Sequence, residues 1–142
     1  MKTKLSPQEL AKIANVTLEH YNQRAEDFWR GTRDHDVSQN IAALLQYIEG
    51  HPPFTILDFG CGPGRDLKAF DELGHVAVGL EGAAEFAAMA RAYSGCEVAT
   101  WTSETMNGSE SRPVISQPAA AFCIQVPIFE TTVASQSTVK VG

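Results

Sequence analysis

Thr55-Ile-Leu-Asp-Phe-Gly-Cys-Gly-Pro-Gly-Arg-Asp66 decides how this chain is read. The apolar residues Phe54, Ile56 and Leu57 lead into Asp58, glycines follow at positions 60, 62 and 64, and Leu67, Phe70 and Leu73 then recur at helical spacing. That order predicts a buried strand, a glycine turn and a helix. Backbone without Cβ atoms admits positive φ and lets a ligand approach the main chain closely. In open α/β sheets ligands bind beyond the carboxyl ends of the strands, where this turn falls.

The spacing separates two kinds of nucleotide site. The dinucleotide fingerprint G-x-G-x-x-G places its third glycine where this chain has Arg65. No Gly-Lys-Ser/Thr follows, which excludes the phosphate-cradling P-loop. Beyond the helix, Gly74 fits a C-cap and His75-Val-Ala-Val-Gly-Leu80 reads as a second short strand ending at Glu81. A carboxylate about 20 residues past a nucleotide-binding turn suits the two hydroxyls of a ribose. The same glutamate also fits a solvated loop.

Asp58-Phe-Gly-Cys-Gly-Pro-Gly64 resembles motif I of the class I S-adenosylmethionine-dependent methyltransferases, and the resemblance runs over residues 18 to 98. It implies a three-layer Rossmann-like α/β fold with a mostly parallel sheet, and S-adenosyl-L-methionine as cofactor. It assigns cofactor contacts to Asp58, Gly60, Cys61, Gly62 and Gly64 at the turn, and to Glu81 and Gly82 after the second strand. It also implies a helical lid ahead of motif I. There Arg33 would pair with the methionine carboxylate and Tyr21 would cover that end. A core-facing tyrosine and a surface arginine beside Asp34 and Asp36 fit the same residues. The acceptor implied is a small molecule, and no residue is assigned as a catalytic base or metal ligand.

The 142 residues suffice for one compact domain, and the 44% hydrophobic fraction is ordinary for a globular chain. A formal net charge of -6 opposes a nucleic-acid footprint, which requires a basic face. Cys61, Cys96 and Cys123 form no C-x-x-C, so neither a zinc site nor a disulfide framework is indicated. With no signal-peptide pattern and no run of about 18 apolar residues, the expectation is a cytoplasmic protein without membrane contact. Nothing in the composition speaks to oligomeric state.

Three regions are expected: a helical lid segment over 1–50, the cofactor-binding core over 51–101, and a divergent, low-order tail over 102–142. Ser6, Pro7 and Glu9 form a capping box for a helix whose apolar stripe is Leu10, Ile13, Ala14 and Leu18. Ile41, Leu44, Leu45 and Ile48 mark a second amphipathic helix, starting at Ser38 and stopped by Gly50 and Pro52. An alanine-rich helix over 83–93 and a third strand near 96–101 follow. Residues 102–113 are polar and Ser/Thr-rich, while 119–129 are apolar, with Pro127 restricting any strand there to a sheet edge. Past residue 98 the resemblance ends, which implies a truncated or alternative isoform with an incomplete C-terminal side. Two functions follow: methyl transfer from S-adenosylmethionine, with weak cofactor binding and no substantial turnover expected from this chain alone, or a non-catalytic cofactor-binding or partner-dependent module.

Overall fold

The computed structural model describes residues 4–101 and the strand Ala121–Ile124. Expectations that fall on 102–120 and 125–142 lie outside the described residues. Three helices come first: α1 (Pro7–Gln23), α2 (Ala25–Thr32) and α3 (Ser38–Tyr47). Then follow β1 (Thr55–Phe59), α4 (Arg65–Glu72), β2 (Val76–Glu81), α5 (Ala84–Ser94), β3 (Glu97–Thr100) and β4 (Ala121–Ile124).

The four strands form one parallel sheet in the order β3-β2-β1-β4. This is the strand order of a Rossmann-like α/β domain, and the chain changes direction across the sheet between β1 and β4. Leu57 lies opposite Val78, and both are buried, as the apolar run before the glycine turn predicts. Tail residues 121–124 add a strand to the free edge of β1, with Ile56 opposite Ala121 and Phe59 opposite Ile124. The expectation that residues after about 101 lack regular structure is corrected at these four positions. Pairing with β1 satisfies backbone groups that the polar sequence before them gave no reason to place there.

Alternation along the strands sorts side chains to two faces. Ile56, Ala77 and Val98 join Leu67, Phe70, Ala87 and Ala90 under α4 and α5, with Ile41 and Leu44 of α3 completing this core. Leu57, Val78 and Leu80 occupy the other face with Phe59, Ala99 and Trp101. At the lower end of the sheet, His75 Nδ1 accepts the Phe54 backbone N–H at 3.1 Å, and the two rings stack at 5.3 Å. That contact ties the start of β1 to the start of β2 from within the core.

α1 begins with the capping box read from the sequence. The Glu9 carboxylate accepts the Ser6 N–H at 2.7 Å, and Ser6 Oγ accepts the Glu9 N–H at 3.3 Å. Its apolar stripe is a correction. Leu10 and Ile13 are each 53% exposed, and α1 has no buried residue. Only Leu18 and Tyr21, near its C-terminal end, pack against Ala25, Ala83 and Phe86. Helical periodicity marks an apolar face without showing which part of it meets the domain.

Gly64 opens α4 with φ 92°, and a Cβ there would sit 2.8 Å from Ala90 Cα in α5. Gly95 caps α5 with φ 72° and has nothing within 4 Å of that position. We therefore expect Gly64→Ala to cost about 2 kcal/mol or more, from left-handed strain plus a backbone clash. Gly95→Ala should cost only about 1 kcal/mol. Urea unfolding of the two variants checks the order, and equal losses would show that α4 and α5 are not in this close contact.

Candidate functional site

The carboxyl end of β1 turns immediately after Phe59. The Gly60 and Cys61 N–H groups both donate to the Leu80 carbonyl, at 2.7 and 3.3 Å, and the Gly64 N–H donates to the Cys61 carbonyl at 3.2 Å. The glycine turn is thus fastened to the end of β2. Glu81, the last residue of β2, completes the fastening. One of its oxygens accepts the Gly62 N–H at 2.8 Å and the other accepts the Ala83 N–H at 2.9 Å. A single carboxylate, 9% exposed, bridges the turn after β1 and the loop entering α5.

Over this turn lies a cavity of about 190 Å³. Gly60, Cys61, Gly62, Pro63 and Glu81 form its floor. Arg65 and Asp66, the first residues of α4, line it alongside Thr32 at the end of α2. Its apolar wall is Leu18, Tyr21, Phe28, Trp29 and Phe86. Tyr21, Phe28 and Phe86 pack as a trio, with ring centroids 5.1–6.4 Å apart. Tyr21 therefore packs against Phe28 and Phe86 and also lines the cavity.

The candidates divide by position. Tyr21, Gly60, Cys61, Gly62 and Glu81 line the cavity. Gly64 serves the packing of α4 on α5, and Gly82 leaves room for Leu18 and the Trp101 carbonyl, 3.0–3.1 Å from where a Cβ would stand. Arg33 stands apart: it is exposed and paired with the exposed Asp34 at 3.3 Å, away from the cavity wall. The arginine at the cavity is Arg65. Its Nε donates to the buried Asp66 carboxylate at 2.8 Å, and its Nη1 donates to the Thr32 carbonyl at 3.2 Å. Sequence reasoning used Arg65 only to exclude a dinucleotide site. Its place directly after the third glycine was the signal that it opens the helix facing the turn.

Asp58 lies behind the turn with no exposed surface, and neither carboxyl oxygen has a hydrogen-bond partner among the described residues. Burial, reinforced by the negative charges of Asp66 and Glu81 and opposed by Arg65, pushes its carboxyl well above the usual carboxylate range. The Cys61 thiol is likewise pushed up, first by burial and then by Asp58 and Glu81. It is a packed side chain rather than a thiolate nucleophile. Among the described residues no group of three or more His, Cys, Asp or Glu side chains is placed to hold a metal ion. No described helix is long and apolar enough to cross a membrane.

Asp58 makes a pH dependence testable. A carboxyl whose folded pKa is raised loses stabilisation as pH climbs from its unfolded value, about 3.9, toward the folded one, because the unfolded chain ionises first. Asp58→Asn cannot ionise. Its stability relative to wild type should therefore rise with pH above about 4, by at most about 1.4 kcal/mol per pH unit. Urea titrations between about pH 4.5 and 8 measure this, and a flat difference would show that Asp58 is not a neutral buried acid.

No family model and no curated protein matches the sequence. Solved structures similar to part of the chain include WbdD, at 20% identity and a TM-score of 0.44, covering 57% of this chain and 21% of that one. A DhpI–SAH complex has 21% identity and a TM-score of 0.45, covering 66% of this chain and 46% of that one. The plantazolicin methyltransferase BpumL in complex with SAH has 14% identity and a TM-score of 0.41, covering 79% of this chain and 50% of that one. The chain thus spans about a fifth of WbdD and about half of each of the other two.

Proposed function

We propose that this chain binds S-adenosyl-L-methionine in the cavity over Gly60–Gly64 and serves methyl transfer to a small-molecule acceptor. The observation that carries the reading is Glu81, oriented by the Gly62 and Ala83 N–H groups at the floor of that cavity. An ionised carboxylate offers about four lone-pair sites. Two are used by the backbone, and the rest suit the paired hydroxyls of a ribose. Gly62 has nothing within 4 Å of where a Cβ would stand, so the turn leaves open space on this side.

The charge pattern agrees with a cationic ligand. Glu81 and Asp66 line the cavity, and Tyr21, Phe28, Trp29 and Phe86 supply aromatic faces that attract a sulfonium. At about 190 Å³ the cavity is smaller than the roughly 300–1,000 Å³ of ordinary ligand sites. A nucleoside-sized ligand therefore needs Leu18 and Tyr21 of α1 to move outward, which a helix with an otherwise exposed face permits. When bound, S-adenosylmethionine supplies an activated methyl group. The residues here bind, orient and exclude water, and such positioning is itself a large part of transfer catalysis.

Titration calorimetry with S-adenosylhomocysteine tests the reading. Glu81→Ala should weaken binding about tenfold or more, the worth of one charge-assisted hydrogen bond. Gly62→Val should abolish it, because the branched side chain occupies the open side of a turn with φ 56°. Unchanged isotherms for both variants would reject the site. Binding without transfer of a labelled methyl group would leave the chain as a cofactor-binding module.

A further inference from the structure

A second cavity, of about 540 Å³, is larger than the one over the glycine turn and is lined by residues of α3 and α4 with Tyr93 of α5. Its volume falls in the roughly 300–1,000 Å³ range of ordinary ligand sites. Its apolar wall includes Val37, Ile41, Leu45, Ala69, Leu73 and Tyr93. Charge is graded along the α4 side of it. Arg65, Lys68 and Glu72 follow at i, i+3 and i+7, so they share one side of the helix. Arg65 is committed to Asp66 and the Thr32 carbonyl. Lys68 is held differently: its ammonium stands 4.5 Å from the centre of the Tyr93 ring, and among the described residues it makes no hydrogen bond or ion pair. An ammonium over an aromatic face keeps its N–H donors for another acceptor. Glu72, one turn further along α4, makes the far end of the stripe negative. Asp36, the other acid on the wall, is turned to the backbone, where its Oδ1 accepts the Ser38 N–H at 2.9 Å.

We propose that this cavity binds a small monocarboxylate with an apolar body, its carboxylate on the Lys68 ammonium and its body against Leu45, Leu73 and Tyr93. Burying the apolar body supplies affinity, and the charge-assisted hydrogen bond to Lys68 fixes orientation. Glu72 disfavours a second acidic group on the ligand, which is why one carboxylate suits the cavity and two do not. Arg65 lines both cavities, so this site lies across its side chain from the glycine turn. It is a site additional to the one proposed for the cofactor and does not rest on that reading.

Two probes with one apolar body test the site. 2-Naphthoate carries a carboxylate, and 2-naphthamide is its uncharged counterpart. Affinities for both are measured by titration calorimetry on wild type, Lys68→Met, Lys68→Arg and Leu73→Ser. Wild type should bind 2-naphthoate about tenfold or more tightly than 2-naphthamide, the worth of one charge-assisted hydrogen bond. Lys68→Met should remove that preference while 2-naphthamide stays within about twofold, and Lys68→Arg should restore most of it. Leu73 is 57% exposed, so Leu73→Ser is compatible with folding. It should weaken both probes about threefold or more through lost apolar contact. Binding of 2-naphthamide, together with an unchanged urea midpoint, serves as the control for folding of the Lys68 variants. No binding of 2-naphthoate to wild type, no preference over the amide, a preference that survives Lys68→Met, or unchanged affinities in Leu73→Ser would each overturn the proposal.

Discussion

One carboxylate holds the upper end of this domain together. The two oxygens of Glu81 accept N–H groups from Gly62 and Ala83, residues that belong to different connections and would otherwise leave donors unpaired at a cleft. Hydrogen bonds to an ionised acceptor are about twice as strong as neutral ones. The shape of the glycine turn, the entry of α5 and the floor of the cavity all follow from this bridge. The Leu80 carbonyl, accepting from Gly60 and Cys61, supports the same end of β2 from the neighbouring position. A cavity placed here is therefore built on backbone held by strands rather than on a free loop.

That construction gathers acid. Asp58 is the last inward-facing residue of β1, Glu81 ends β2, and Asp66 stands in the first turn of α4, where a helix N-terminus favours negative charge. Among the described residues, Arg65 pairs directly with Asp66. The remaining charge is relieved at Asp58, whose carboxyl is shifted toward its neutral form by burial and by its acidic neighbours. A buried carboxyl without a hydrogen-bond partner costs stability.

The first strand, the turn, α4, β2 and α5 were legible in the sequence because each is a local pattern. Ile56 and Leu57 mark a strand buried on both faces, Leu67 and Phe70 mark a helix, and Gly74 and Gly95 stop two helices. Glu81 was legible as well, because the end of a short strand fixes where its last side chain stands. Less legible was the use of each helical face. Leu10 and Ile13 satisfy the same periodicity as Ile41 and Leu44, yet the first pair is exposed and the second buried. Only the placement of α3 against Phe54 and Ile56 separates them.

By itself the sequence determined the order of elements from β1 to α5, the turn that excludes a dinucleotide fingerprint, and the carboxylate at the end of β2. These depend on neighbours within a few residues, or on a spacing that one strand–helix–strand unit enforces. The tertiary structure alone decided which arginine meets the cavity. Arg33 and Arg65 are equally cationic and equally close to a helix end in sequence. The fold sets Arg65 at the head of α4 against Asp66 and Thr32, while Arg33 falls past the end of α2 beside Asp34. It alone also placed Ala121–Ile124 on the open edge of β1, since parallel pairing joins residues too distant in sequence for any local pattern to specify. The physical reason is common to both: a side chain's role at a site depends on the few ångströms around it, and those are supplied by segments that only folding brings near.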